Sequence, residues 1–541
     1  MSELAAGRIS RREPLAWAGV AAVTVGVLLH LPMYLQGRDD EYMLAGMAVD
    51  APMVAGMVLI LVGLAATAYG LFPKVLPNAG PVSRVSVRAL DDAPLRRAHV
   101  GLLLVMAAAV TIDVMKPTTL AFVVPGFAAE YGLGSALNPS GHPPAALLPL
   151  AGITGTVIGS LCWGWLGDRI GRRASILLAG VLFVGTAVCG SMPSYQLNLF
   201  MCFVMGLGVG GMLPIIFTLI AETIPARHRG WLMVLIGGDI AGAYILTSWL
   251  SSALVPEYSW RILWLIGLPT GLLLIVLCRW IPESPRFLLA HGRSEHARAV
   301  MARYGAEVAD DETDLTIEER VKPRFGQLFL PPLQRATVVV VLLGLGAGLV
   351  SFGFQLWIPS NLRSLGFTEV TADRILRDSA LIGFPLNFLV AWLYGFWSSR
   401  KTIVLLAGLT AASLLAFAAA GDAVADDRTL LYALLIVPIW GISSVVAVLA
   451  AYSAEVYPTR VRSRGSGLAA GASKVGGVLV IAFVVAAVAP PTIAGTALIG
   501  AVPMALAALA ALVFGVETRK RRLEEITTQE FEAAARAGAR P

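Results

Sequence analysis

Apolar stretches of about twenty residues, the length at which a helix crosses a ~30 Å hydrocarbon layer, follow one another along almost the whole chain. Each ends in a short cluster of arginine, acid, glycine or proline. Two stretches lead, at 15–35 and 51–72. Twelve follow, at 100–125, 147–167, 174–192, 196–220, 231–255, 260–281, 336–358, 379–397, 402–420, 429–451, 466–489 and 491–515. In hydrocarbon the backbone has no water to bond, so such runs are expected as helices. The pattern predicts an all-α polytopic membrane protein of fourteen helices. Its polar breaks divide the chain into two leading helices with a basic linker (1–97), a six-helix set (98–281), a polar linker (282–335), a second six-helix set (336–516) and a polar tail (517–541).

Composition narrows the classes. Of 541 residues, 57% are hydrophobic and 14% charged, against about 25% charged in soluble domains. The net charge of +6 therefore points to arginine held at an anionic membrane face, not to nucleic-acid binding. Cys162, Cys189, Cys202 and Cys278 all fall inside apolar stretches, so no disulfide framework is implied. Arg8, Arg11 and Arg12 before 15–35 imitate a signal peptide, but no small-residue cleavage site follows, and the segment is expected to remain as an anchor. Basic residues in the short loops set the orientation. With the N-terminus inside, the inner segments hold Arg169, Arg172, Arg173, Arg227, Arg229, Arg400, Lys401, Arg460, Arg462 and Arg464. The outer loops hold fewer, beside acidic clusters such as Asp39-Asp40-Glu41. Both termini are expected in the cytoplasm.

The two six-helix sets are related. Pro125 with Tyr131-Gly132-Leu133 matches Pro359 with Leu365-Gly366-Phe367 at an offset of 234, and Gly164-Trp165 matches Gly395-Phe396 at 231. Ala221-Glu222-Thr-Ile-Pro225-Ala-Arg227 matches Ala454-Glu455-Val-Tyr-Pro458-Thr-Arg460 at 233, and Glu283 matches Glu517 at 234. A near-constant offset through four unrelated motifs implies a duplicated bundle with parallel halves.

Between the second and third helices of the first set lies Gly164-Trp-Leu-Gly-Asp168-Arg169-Ile-Gly171-Arg172-Arg173. Its glycines permit a tight reversal, and Asp168 suits the positive end of the helix that follows. The run G-x-L-x-D-R-x-G-R-R resembles the loop signature of the major facilitator superfamily. After the sixth helix of that set, Pro282-Glu283-Ser284-Pro285-Arg286-Phe-Leu-Leu closely resembles the P-E-S-P-R-x-L-L signature of sugar porters and their organic-ion relatives. Glu517-Thr518 resembles its weaker counterpart, with Val516 in place of proline. The resemblance covers 98–526 and implies a twelve-helix core of two pseudo-symmetric six-helix bundles, here preceded by two additional helices. It also implies a cytoplasmic gate. The first half would supply Gly164, Asp168, Arg169, Gly171, Arg172, Arg173, Glu222, Arg227, Glu283 and Arg286, and the second Glu455, Arg460 and Glu517. Exposed pairs are worth about 0–1 kcal/mol each, so a network is required to bias a two-state rocker. Trp397-Ser398-Ser399-Arg400-Lys401 has no aspartate matching Asp168, so the second latch is expected to be the weaker.

Charge inside the apolar stretches costs roughly 2.5–3.5 kcal/mol per residue on insertion scales, and it persists where it faces a cavity or another charge. Asp113 and Lys116 sit three apart on one helical face. They read either as a self-neutralising pair or as a protonatable carboxylate tuned by a nearby cation. Asp239 and Lys474 are 235 residues apart, at equivalent places in the two halves, and their glycine flanks suit close packing along a central path. The sugar-porter resemblance would place an arginine at Cys202, and Lys116 is the cation available to replace it. Tyr244, Gln355, Asn387 and Trp440 complete a candidate pocket for hydroxyls or a carboxylate. Gly206 to Gly211 lies mid-helix with no preceding strand, Gly471-Ala-Ser473-Lys474 is not a P-loop, and the six histidines lack metal spacing.

These features predict a secondary active transporter that moves a small polar metabolite, an organic acid or sugar-like solute, by alternating access with proton symport. Neither enzyme activity nor a metal or cofactor is expected, the proton being the coupling ion. The expected partners are the solute and the lipid bilayer, not nucleic acid, with a monomer as the default assembly. Two alternatives stand beside this reading: a multidrug or metabolite efflux antiporter, and a nutrient sensor that keeps the fold without transport.

Overall fold

A computed structural model describes residues 13–72, 88–134, 138, 140–306, 324–355, 358, 362, 375, 378–425, 427–458, 461–487, 493–521 and 526. Two helices lead, α1 (Glu13–Leu28) and α2 (Ala51–Leu71). The first bundle holds α3 (Arg97–Glu130), α4 (Leu147–Ile170), α5 (Arg172–Gly185), α6 (Tyr195–Thr223), α7 (Ala226–Gly237), α8 (Asp239–Tyr258) and α9 (Gly267–Leu277). The second holds α10 (Gln334–Leu349), α11 (Leu386–Trp392), α12 (Ser399–Ala420), α13 (Arg428–Val456), α14 (Arg462–Ala487) and α15 (Ile493–Phe514). Among the described residues, thirteen helical stretches are long and apolar enough to cross a membrane. The stretch expected at 260–281 is the one that falls short. It is split into Ile262–Leu265 and α9, next to Pro269, which has no N–H to give the carbonyl of Leu265.

Within the first bundle α4 packs on α6, α3 on α8 and α5 on α9; within the second α12 packs on α15, and α10 on α14 and α15. The bundles meet where α4 lies against α14 and α7 against α13. Small residues permit this approach. A Cβ on Gly164 would stand 2.8 Å from the Ser463 carbonyl, and one on Gly467 2.6 Å from that of Ser160. Two helix backbones therefore touch with no side chain between them, at the end that carries the arginine-rich loops.

The leading pair makes its own antiparallel seam, with Gly19 against Gly63 and Gly26 against Gly56; a Cβ at any of the four would lie 2.5–2.7 Å from the opposite carbonyl. Its apolar face (Val23, Ile60) docks on Val181 and Val184 of α5, on Val188 just after it and on Ile275 of α9. At the end away from the basic loops, Glu130 accepts the N–H groups of Leu44 and Ala45 at 2.8 and 2.9 Å and is held by Arg261 at 2.6 Å. The leading helices are thus fastened to the first bundle.

Candidate gate and solute path

At the basic-loop end the signature run builds a buried charge network. Asp168 and Arg169 close α4, Gly171 makes the reversal at φ +100°, and Arg172 opens α5. A side chain at Gly171 would collide with Glu283 as well as being strained. Arg172 is buried and gives Nη2 to Glu222 at 3.1 Å and Nη1 to the Gly167 carbonyl at 3.0 Å. From the other bundle Arg462 gives Nη1 to the same Glu222 oxygen at 3.1 Å, and Arg464 reaches Asp168 at 2.8 Å. Two ion pairs thus join the bundles, and the basic ends are shut together. The side chains of Arg462 and Glu222 are 0% exposed, which corrects the expectation of exposed, weak pairs. Removing one partner of a buried pair leaves a charge out of water and costs far more than breaking a surface one.

Glu283 and Glu517 play matching parts. Glu283 accepts the backbone N–H of Arg172 at 2.8 Å and Glu517 that of Ser399 at 3.0 Å, so each caps the third helix of its bundle. Their titration differs. Burial pushes the Glu283 carboxyl up, against the pull of the Ser284 N–H and Arg172. Burial pushes Glu517 up as well, but Ser398, Ser399 and the Arg519 N–H outweigh it and hold that carboxyl below its ordinary range. Glu455 is buried within its own bundle, accepting from Tyr394 at 2.8 Å and Thr518 at 2.7 Å.

Other expected gate residues stand apart. Arg169 is exposed and stacks on Trp165, 5.1 Å from the ring, while Arg173 bonds the Cys278 carbonyl at 3.1 Å. Arg227 is exposed; the arginine that turns inward is Arg229, two residues on, which pairs with Asp91 as Arg286 does. Arg460 lies outside the described residues. The internal repeat already carried the missed signal, since Arg462 is the counterpart of Arg229 in the duplicated loop.

Deeper in the membrane the pairing also differs from the expected one. Lys116 does not neutralise Asp113. Its ammonium bends the other way, 3.5 Å from the Phe183 carbonyl and 5.9 Å from the Phe183 ring, into room left by Gly267. There it lines a small cleft inside the first bundle with Thr119, Thr247 and Thr270. The charge that acts on Asp113 is Lys474, from α14 of the other bundle, and Asp113 acts on Lys474 in turn. Asp113 is 3% exposed and its Oδ1 has no hydrogen-bond partner. Asp239 takes a hydrogen bond from Thr111 of α3 at the break between α7 and α8. Against that break sits Asn387, 3.1 Å from where a Cβ on Gly238 would be, and it accepts a bond from Ser444 at 3.0 Å. Trp440, one turn before Ser444, packs on Gly383 with its buried N–H unpartnered. Gln355 ends a π-helical turn (Val350–Gln355) and is half-buried. Tyr244 is 40% exposed, its ring 5.9 Å from that of Phe122.

A family model described as "Sugar (and other) transporter" matches residues 146–529. The chain belongs to this family. Like other members of the sugar transporter family it is of major facilitator type, and the relatives it resembles are transporters. It is 25% identical to the niacin transporter NiaP of Acinetobacter baylyi (strain ATCC 33305 / BD413 / ADP1), over 72% of this chain and 88% of the relative. It is 25% identical to the 4-hydroxybenzoate transporter PcaK of the same organism, over 72% and 85%. With the inner membrane metabolite transport protein YgcS of Escherichia coli (strain K12) the identity is 29%, over 72% and 84%. In fold it matches the proton:xylose symporter XylE bound to 6-bromo-6-deoxy-D-glucose, at TM-score 0.67 and 17% identity, over 80% of this chain and 99% of that one. The match to a partially occluded inward open XylE from E. coli is looser, at 0.56, with 19% identity over 78% and 99%.

Proposed function

We propose that this chain carries a small organic acid, most closely an aromatic monocarboxylate, across the cytoplasmic membrane by proton-coupled symport and alternating access. The observation that carries the reading is the placement of two opposite charges midway along spanning helices of different bundles, the buried Asp113 on α3 and Lys474 on α14, each acting on the other. The ion pairs at the basic-loop end support a state closed to one side. Charge balance supplies the coupling. Asp113 and Lys474 together are neutral, and an anionic carboxylate taken up beside Lys474 leaves one negative charge buried without compensation. A proton on Asp113 restores neutrality, so solute and proton cross together. The unpartnered Trp440 N–H is a second donor for the solute, and Asp239, Asn387, Gln355 and Tyr244 line the path. The relatives' names, a niacin and a 4-hydroxybenzoate transporter, favour an acid over a sugar.

In this reading the basic loops, and both termini, face the cytoplasm. The broken segment Ile262–Leu277 completes a fourteenth crossing, so that a twelve-helix core follows two additional helices at 1–97, and the protein works as a monomer in the bilayer. Uptake into proteoliposomes tests the proposal, with nicotinate, 4-hydroxybenzoate and xylose offered under an inward proton gradient. Gradient-driven uptake of the acids, lost in Asp113→Asn, is the expected result. Xylose uptake alone, flux indifferent to the gradient, or binding with no flux would overturn it; the last is the mark of a sensor, and proton-driven export that of an efflux antiporter.

A further inference from the structure

Arg229 and Arg462 are twins in the duplicated loop. Each lays Nε on the carbonyl five residues before it, Ile224 at 3.3 Å and Tyr457 at 3.2 Å. Their outer nitrogens part ways. Arg462 crosses the seam to Glu222. The symmetric act for Arg229 would be to cross to Glu455, which is near: its Oε1 is 3.6 Å from where a Cβ on Gly230 would sit, and Arg229 is a charge that acts on it. Arg229 instead gives Nη2 to Asp91, whose other oxygen is 3.5 Å from Arg286. Asp91 ends the short helix Arg88–Asp91 ahead of α3, and its side chain is 2% exposed.

We propose that Asp91 is a positioning residue of the gate, which holds Arg229 on the first bundle and keeps a second cross-bundle latch to Glu455 from forming. Asp91, Arg229 and Arg286 all lie on the first-bundle side, so their bonds move as one body when the bundles separate. An Arg229–Glu455 pair would have to break at each opening, and two buried latches would bias the gate too far toward the shut state. Asp91 thereby leaves the shut state held from the Glu222 side. Without the Asp91 charge, Arg229 and Arg286 repel one another, and Arg229 is driven toward the carboxylate that remains.

The inference rests on the alternating-access reading, and the test separates the two. Gly471 lies on the seam face of α14, where a Cβ would meet Leu161 and Ser160 only at ordinary contact distance, 3.5 Å and beyond. Gly471→Cys, with the exposed Cys162 changed to serine, reports opening through its labelling rate with a membrane-impermeant maleimide added from the basic-loop side; no solute is needed. Asp91→Asn is expected to slow labelling about fivefold, a typical size for coupling between two sites. Adding Glu455→Gln is expected to restore the parent rate, and Asp91→Glu to retain it. An unchanged or faster rate in Asp91→Asn, or no rescue by Glu455→Gln, overturns the assignment of Asp91. Arg462→Gln is the control for the gate itself: if it speeds labelling while Asp91→Asn has no effect, only the Asp91 proposal fails, and if neither variant changes the rate the gate reading fails.

Discussion

Arg462→Gln bears most directly on how the bundles are held together. In the shut state Arg462 lies 3.1 Å from Glu222, both side chains 0% exposed, and Glu222 keeps a second guanidinium, Arg172, also at 3.1 Å. The loss is therefore smaller than stripping a buried carboxylate of every partner. It amounts to one charge-assisted hydrogen bond, about 1.5–3 kcal/mol. That bond joins the two bundles and exists only while they touch, so its loss raises the shut state relative to the open one by the same amount, roughly 10- to 150-fold in population. Labelling of Gly471→Cys from the basic-loop side should rise by at least about tenfold, with little change from the opposite side. Melting of the purified variant checks that the bundles themselves remain folded. A variant that melts with its parent and labels no faster would refute the reasoning, since the pair would then carry no conformational bias.

Asp113→Asn and Lys474→Gln should each cost more stability than the double variant, because each alone leaves the other charge within the membrane span without its opposite; melting curves of the three variants decide this. Glu517→Gln should destabilise by about 1.5–3 kcal/mol, the worth of hydrogen bonds to a charged group, and Glu283→Gln by less, since burial already favours the neutral Glu283 carboxyl. The pH dependence has opposite signs: the stability due to Glu517 is present above pH 4.5 and lost as pH falls through its lowered folded value, whereas protonating Glu283 favours the fold as pH falls toward 4.5. Melting across acid pH in the two glutamine variants reads both trends. Gly63→Leu should destabilise by about 1–3 kcal/mol through overpacking, because even a Cβ there would stand 2.7 Å from the Gly19 carbonyl; melting of the variant reads the loss, and gate labelling is unaltered.

Hydropathy and repetition, read along the chain, determined most of the architecture. Apolar runs long enough to span a bilayer must be helices there whatever they pack against, and a constant offset between motifs reports a duplicated bundle without coordinates. Asp168, Arg172, Glu222 and Glu283 were drawn into one gate by the resemblance of their motifs, which also drew in Arg169, Arg173 and Arg227, and these three stand apart. Which charge meets which was decided only by the tertiary structure. Asp113 and Lys116 share a helical face, yet the lysine stem bends toward space opened by Gly267, and the charge that acts on Asp113 is Lys474, which is more than 350 residues away in the chain. Arg227 and Arg229 are equally basic in the sequence, but the turn of α7 exposes the first and buries the second. Long side chains reach several ångströms in directions fixed by helix rotation and by small residues on a neighbouring helix, and neither is written in the spacing of any one segment.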